Sequence, residues 1–413
     1  MRVGRLEALK IVKDGTHRFN ESLARFREVF EREPSVIVSA PGRSEIIGNH
    51  TDHNNGRVVA AAIDLDTLVL AAPSESGVSR LVSKGWDSVF SVDPGQDRSS
   101  DGSDTERLMR GVAVGLERAG YAAPAYDAVL DSRVLPGSGL SSSAALEMSL
   151  SGIHEALSGT DVPPVERARI GRYAENEYIH KPCGLMDQMA ASIGGCVAID
   201  FSGAEDVRYH PLALDFRRTN HQLAIVDTGG SHANLTDQYA AIPREMKALA
   251  AVLGVETLAE TSRSALLSAL IRARQEVGDR AVLRGFHFFD EQDRVSALID
   301  AVDRRHDDLV LSLMRESGES SWTLLQNINP AGESRDQSLA LALTLTREYF
   351  HTRGAVGAYR VHGGGFAGTI LAVVPAGLFE EYRSLMDRTF GKHATQELAI
   401  RGEGVIYADL RRG

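Results

Sequence analysis

Two glycines and four serines stand together in Gly137-Ser138-Gly139-Leu140-Ser141-Ser142-Ser143, between an apolar stretch and a helix-like run. Glycine backbone lets an anion approach the chain, hydroxyls add donors, and a helix N-terminus favours negative charge. The chemistry is that of a phosphate cradle, with a serine-capped strand-to-helix connector as the plainer alternative. No lysine follows the glycines in the Walker arrangement. A second cluster, APGRSEIIGNHTDHNNG at 40–56, crowds Arg43, Glu45, Asn49, His50, Asp52, His53, Asn54 and Asn55 between Pro41 and Gly56. An ionised Asp accepts from two adjacent hydroxyls, and Asn or His donates or accepts as required, which is what polyol recognition needs. A run of Asx turns between two strands would use the same residues. A third cluster, VHGGGFAGT at 361–369, carries three glycines into an apolar strand. Their entropy cost implies a close backbone approach, to a ligand or another segment, unless they only form a tight hairpin.

The elements that must hold these clusters alternate along the chain. Residues 5–33 have the apolar spacing of an amphipathic helix region ended by Pro34, and SVIVSAPG at 35–42 opens a strand-rich stretch to about residue 95. The polar segment 96–106 reads as a solvated surface loop. A helix, a strand, the glycine/serine loop and a further helix from about Ser142 follow, then helical patterns at 164–180 and 185–194 and a buried strand at 196–202. Polar and turn-forming residues at 203–218 break the pattern. The second half predicts strand HQLAIVDTG, helices at 237–253, 261–276, 290–304 and 335–352, strand FAGTILAVVP, a helix at 375–389 and the closing strand GVIYADL. Mixed strand and helix layers in both halves make the expected class α+β, with domains at 1–210 and 211–413.

The 413 residues are 43% hydrophobic and carry a net charge of −11, enough for two cores but without the basic footprint of a nucleic-acid-binding protein. Two cysteines, Cys183 and Cys196, are too few for a disulfide framework, and no apolar run approaches the length of a membrane span. A cytoplasmic protein is expected, with no membrane association and no obligate protein partner.

In this order and spacing, the clusters resemble the signature motifs of the galactokinase branch of the GHMP kinases. Residues 42–56 are similar to GRVNLIGEHTDYNGG, Gly139 to Ala144 to GLSSSA, and 361–369 to the glycine-rich third motif. Likewise AENEYIHKPCGLMDQMAASIGG at 174–195 is similar to AENxYxGxPCGIMDQ. The resemblance runs from about residue 36 to the end of the chain. It implies a two-domain GHMP kinase-like fold with the site in the cleft between domains, and ATP-dependent phosphorylation of a sugar's anomeric hydroxyl. By resemblance, the loop from Gly137 to Ser143 cradles the ATP phosphates. Ser142 or Ser143 and Glu175 hold Mg²⁺, a hard ion suited to oxygen ligands. Asp187 is the catalytic carboxylate and Arg43 its cationic neighbour. Asn49, His50, Asp52, Gly184 and Tyr239 contact the sugar together with that pair.

The chain departs from the motif at two places beside the sugar. Asn49 stands where the family has an acidic residue facing the C6 hydroxyl, and His53 where it has Tyr. An amide there, with a histidine that can charge, would tolerate a C6 carboxylate, so galactose, galacturonate and another galacto-configured sugar such as arabinose are all open. The segment 320–345 also departs from the family pattern and is expected to shape the second domain's face of the cleft. A non-catalytic sugar sensor is an alternative of another class, opposed by the complete Gly139–Ala144 loop and by Glu175 and Asp187. Trp86 is a candidate for stacking on adenine or for plain packing.

Overall fold

The computed structural model of the chain describes residues 1–86, 88–93, 101–134, 139–181, 183–203, 207–229, 235–333 and 335–411. The leading region is two helices, α1 (Arg5–Ile11) and α2 (Gly15–Phe30), divided at Asp14, whose φ of 53° no helix continues through. Sequence periodicity alone read them as one. Then come the long strands β1 (Val36–Ile47) and β2 (Arg57–Pro73), buried along nearly their whole length. Strands this apolar need cover on both faces. Phe19 and Phe26 of α2 pack on Ile37, Leu68 and Leu70 on one side. On the other, Met148, Leu150 and Ile153 of the helix after the serine loop pack on Val36, Val38 and Val69.

The first sheet adds β3 (Ser79–Ser83), β4 (Val89–Val92), β5 (Tyr126–Ser132), β6 (Cys196–Asp200) and β7 (Arg208–Leu212). Its helices are α3 (Asp104–Arg118), α4 (Ser142–Ser158), α5 (Pro164–Tyr178) and α6 (Met186–Ile193). The second sheet contains β8 (His221–Asp227), β9 (Ala358–Val361), β10 (Thr369–Pro375) and β11 (Thr395–Leu398), in the order β11-β8-β10-β9. Around it lie α7 (Thr236–Val252), α8 (Arg263–Ser268), α9 (Leu270–Asp303), α10 (Asp307–Ser320), α11 (Ser338–Arg353) and α12 (Phe379–Phe390). The closing strand, β12 (Ile406–Asp409), returns to the first sheet and pairs antiparallel with β1.

The sheets therefore do not follow a single cut at residue 210: β7 ends at Leu212, and the chain's last strand lies beside its first long one. The polar stretch expected to break the chain at 203–218 contains β7, an exposed strand paired, among the described residues, only to β6. The expected helices at 261–276 and 290–304 are also redrawn. α9 runs through both, interrupted at Gly278 (φ 82°), and α10 was missed. Val282, Phe288 and Phe289 are buried against α7 while Val295 and Leu298 enter a different core, so no single apolar stripe runs along α9. Segment 96–106 lies partly outside the described residues, and Asp104 already begins α3. No helix among the described residues is long and apolar enough to cross a membrane.

One core joins the two sheets. Ile46, Val59 and Ala61 of the first meet Ile225 and Leu371 of the second through Val295, Leu298 and Leu311 of α9 and α10. A polar tie crosses the same junction: Arg360 on β9, fully buried, donates from Nη2 to Glu45 Oε1 (2.6 Å) and from Nη1 to the Ile46 carbonyl (2.7 Å) on β1. Removing one partner of such a pair strands the other charge in the interior. Arg360→Met is expected to cost about 3–5 kcal/mol in denaturant unfolding; an unchanged midpoint would show that the tie does not hold the sheets.

Candidate active site

β1 carries a register shift between Pro41 and Arg43 against β2. Pro41 has no N–H for the ladder, and an irregularity of this kind re-aims the side chain beside it. At the shift the strand leaves room for the serine loop. A Cβ on Gly42 would stand 2.9 Å from the Leu140 carbonyl, to which the Arg43 amide donates at 3.1 Å. Arg43, 6% exposed, then grips Asp187 in a fork, with Nε to Oδ1 at 2.6 Å and Nη2 to Oδ2 at 2.7 Å. Its remaining terminal nitrogen donates to the Gly139 carbonyl. Burial alone would raise the Asp187 pKa. The Arg43 charge, its hydrogen bonds and one from Ser141 outweigh that, so the carboxyl lies below its ordinary 3.8 and is ionised at neutral pH.

The serine loop enters α4 with Gly139 at φ 73° and Ser141 at φ 60°. Ser141 occupies the N-cap position but caps nothing; its hydroxyl donates to Asp187 Oδ2 at 2.6 Å. The first turn of α4 holds no acidic residue. Its unpaired backbone N–H groups and the positive end of the dipole are thus left for an anion. Of the residues assigned to the cradle, Gly139, Leu140, Ser141, Ser142 and Ser143 line this turn, while Gly137 and Ser138 lie outside the described residues.

Asp52 and Gly184 meet. A Cβ at residue 184 would fall 1.7 Å from Asp52 Oδ2, so only glycine fits beside that carboxylate, three residues before Asp187. His53 folds over the same group, its amide donating to Asp52 Oδ1 at 3.0 Å. His50, with φ 58°, donates from Nε2 to the Gly364 carbonyl at 3.1 Å. A carbonyl only accepts, so the proton is on Nε2 and the buried Nδ1, which has no partner among the described residues, is an acceptor. Burial, with His53 nearby, pushes the His50 pKa down to about 3, so the ring is neutral at physiological pH. Tyr239 donates its hydroxyl to the Gly365 carbonyl at 2.9 Å and lays its ring on Gly364, where a Cβ would stand 2.6 Å from Cε1. The third glycine motif is thus a backing for His50 and Tyr239, two residues the sequence assigned to the sugar.

Asn49 corrects the sequence reading. It is 1% exposed, and its amide is consumed inside the protein. Nδ2 donates to Glu45 Oε2 (3.0 Å) and the Gly363 carbonyl (2.9 Å), while Oδ1 accepts from Asn327 Nδ2 (2.8 Å) and Ser321 Oγ (3.3 Å). Two donors and two accepted bonds use the side chain's full capacity, which leaves it nothing for a sugar's C6 group. Asn327 and Ser321 come from the 320–345 segment, whose departure from the family pattern is here a matched partner for Asn49.

Ser143 Oγ donates to Glu175 Oε1 at 3.0 Å, which singles out Ser143 from the two serine candidates for the metal. Lys181 Nζ reaches the same oxygen at 2.7 Å. On the other side Gln188 Nε2 bridges Glu175 Oε2 and Glu147 Oε2, each at 3.0 Å. Burial and the neighbouring Glu175 hold Glu147 toward its neutral form. A hydroxyl and an oriented carboxylate are hard oxygen donors, and they sit at the start of α4; the set fits Mg²⁺. Sequence reasoning missed Glu147, Gln188 and Lys181 here. It also missed His287, which donates from Nε2 to the Asn49 carbonyl (2.9 Å), and Glu291, which accepts from the Gly48 amide (2.8 Å). Both His287 and Glu291 lie on α9, more than 230 residues from the loop they hold. Trp86 is 62% exposed and meets Phe90.

The GHMP kinases N terminal domain matches residues 107–195. The fold is likewise similar to mevalonate kinase of Methanococcus jannaschii, with a TM-score of 0.62 at 13% identity over 89% of this chain and 99% of that one. Fold and site together define the class as GHMP kinase. The galactokinase galactose-binding signature matches residues 24–73. A galactokinase of Streptomyces coelicolor is 31% identical over 359 residues, 85% of this chain and 88% of the relative. The chain belongs to the galactokinase family. The structure of Lactococcus lactis galactokinase complexed with galactose matches with a TM-score of 0.80 at 22% identity, over 93% of this chain and 98% of that one.

Gly184→Ala forces Asp52 aside. It is expected to raise the sugar KM by roughly tenfold or more, about 1.4 kcal/mol, with the ATP KM unchanged; an unaltered sugar KM would remove Asp52 from the sugar pocket.

Proposed function

We propose that this protein is an ATP-dependent sugar 1-kinase acting on galactose. The observation that carries the reading is Asp187, ionised by the Arg43 fork. It stands between the uncapped N-terminus of α4 on one side and the Asp52–Gly184 contact on the other. Phosphoryl transfer needs mainly positioning and charge neutralisation, and each part of the site supplies one of these.

Asp52 accepts from adjacent ring hydroxyls, and His50 Nδ1 accepts from a further one. Asp187 takes a hydrogen bond from the anomeric hydroxyl. The hydroxyl oxygen forms its bond to the γ-phosphorus as the bond to the β-phosphate oxygen breaks, ADP leaves, and the hydroxyl proton passes to Asp187. Arg43 keeps Asp187 anionic and lowers its basicity. A loose transition state tolerates that, because it demands little activation of the attacking oxygen. The α4 N–H groups and the Ser142 and Ser143 hydroxyls receive the phosphates. Ser143 and Glu175 would hold Mg²⁺, which when bound neutralises triphosphate charge.

Galactose is favoured over galacturonate because, of the two groups that suggested a carboxylate-tolerant C6 pocket, Asn49 has no free N–H and His53 lies beside the Asp52 carboxylate. In a coupled ADP-release assay, turnover is expected with galactose and ATP and not with galacturonate. Asp187→Asn should lower kcat by roughly 10³. Turnover on galacturonate alone would overturn the sugar assignment, and binding of both substrates without ADP release would favour a sensor. Asn49→Glu places a second carboxylate against Glu45 in the interior and should lower stability by about 3 kcal/mol or more without altering the ratio of galactose to galacturonate turnover. A changed ratio in a stably folded variant would return Asn49 to the specificity determinants.

A further inference from the structure

The site holds two cations of very different freedom. Arg43 has each of its donor nitrogens in use, on Asp187 and on the Gly139 carbonyl, and is almost completely buried. Lys181 makes a single side-chain bond, to Glu175 Oε1 at 2.7 Å, and its side chain is 63% exposed. The other two N–H groups of its ammonium have no partner among the described residues. Its position is nonetheless built. α5 ends at Tyr178, His180 turns the chain with φ 60°, and the Lys181 amide donates back to the Glu175 carbonyl at 3.3 Å. Backbone and side chain of one residue thus close on the same glutamate.

Glu175 is 3% exposed. Its Oε2 receives Gln188 and its Oε1 receives Ser143 and Lys181. Ser143 and Gln188 are neutral and the neighbouring Glu147 is a second carboxyl, so the ammonium is the cation in direct contact with this carboxylate. It occupies the oxygen that, under the functional reading above, a divalent ion needs.

We propose that Lys181 is the resident counter-charge of the metal-binding carboxylate. It neutralises and aims Glu175 in the nucleotide-free enzyme and yields Oε1 to the divalent ion. The exchange has a simple physical basis. A buried carboxylate without a partner is costly, so a site that must stand empty between turnovers needs a stand-in. A flexible, half-solvated lysine leaves at little cost because its ammonium is readily rehydrated. The forked Arg43 cannot serve in this way, since releasing it would free Asp187.

The inference rests on the assignment of Ser143 and Glu175 to the metal, and the test separates the two. Mn²⁺ alone is titrated into the nucleotide-free protein, with the free ion followed by electron paramagnetic resonance, for wild type, Lys181→Met, Lys181→Arg and Glu175→Gln. Lys181→Met should bind Mn²⁺ roughly two- to fivefold more tightly, the range an ion pair of this exposure spans. Its melting temperature should rise more on adding Mn²⁺ than that of wild type, because the ion then relieves an unpaired charge. Lys181→Arg should behave like wild type. Glu175→Gln should lose the site. Unchanged or weaker Mn²⁺ binding in Lys181→Met, with binding lost in Glu175→Gln, would overturn the counter-charge role and keep the metal assignment. Full Mn²⁺ binding in Glu175→Gln would overturn both.

Discussion

The fork between Arg43 and Asp187 is the interaction on which the rest of the site depends. It joins three elements distant in sequence: the irregular end of β1, the serine loop through the Gly139 carbonyl, and the first turn of α6. Each geometric feature nearby follows from making that junction. The register shift at Pro41 turns Arg43 toward the loop, Gly42 admits the Leu140 carbonyl, and Ser141 gives up its capping role to complete the Asp187 hydrogen bonds. A buried guanidinium and a partly buried carboxylate each lose hydration; together, with their remaining positions hydrogen-bonded, they are stable and rigid. Rigidity is the useful property, since the reaction asks for alignment more than for a strong base.

A second constraint couples the two sheets at the 48–55 turn. Three consecutive carbonyls of the glycine run, Gly363, Gly364 and Gly365, accept from Asn49, His50 and Tyr239. Gly365 approaches Asn327 so closely that a Cβ there would sit 2.1 Å from the Asn327 carbonyl, and Gly364 is covered by the Tyr239 ring. The glycines are used to bring backbone against backbone. Asn49 lies at the centre, saturated by Glu45, Gly363, Ser321 and Asn327, while His287 and Glu291 fix the backbone around it. These residues together fix the position of the 48–55 turn.

The surroundings of Glu175 show a different economy. Glu147, Gln188 and Glu175 form a buried row in which one amide serves two carboxyl groups. Burial and Glu175 push the Glu147 pKa up, which favours its uncharged form beside Glu175, and Gln188 orients Glu175. Such an arrangement is poor for stability and good for holding one carboxylate at the start of α4.

What the sequence determined by itself was the chemistry carried by local motifs: the glycine/serine loop, the Asp52 turn, the Asp187 segment and the α+β order of elements. These are legible because phosphate binding and polyol recognition need particular residue types at short spacing, and because β1, β2 and most helices have clear apolar periods. Tertiary structure alone decided which side chains spend their hydrogen bonds on the protein and which are left for a ligand. Asn49 is the clearest case: its type and place suggested a sugar contact, yet its partners come from residues near 325 and 363. Lys181 and Gln188 gave no sign because their role exists only where α4, α5 and α6 converge. α10 and the run of α9 on both sides of Gly278 were equally hidden, since multi-sided burial erases the one-faced pattern by which elements are recognised. Contacts between residues hundreds of positions apart have no spacing rule, so only the folded chain could assign them.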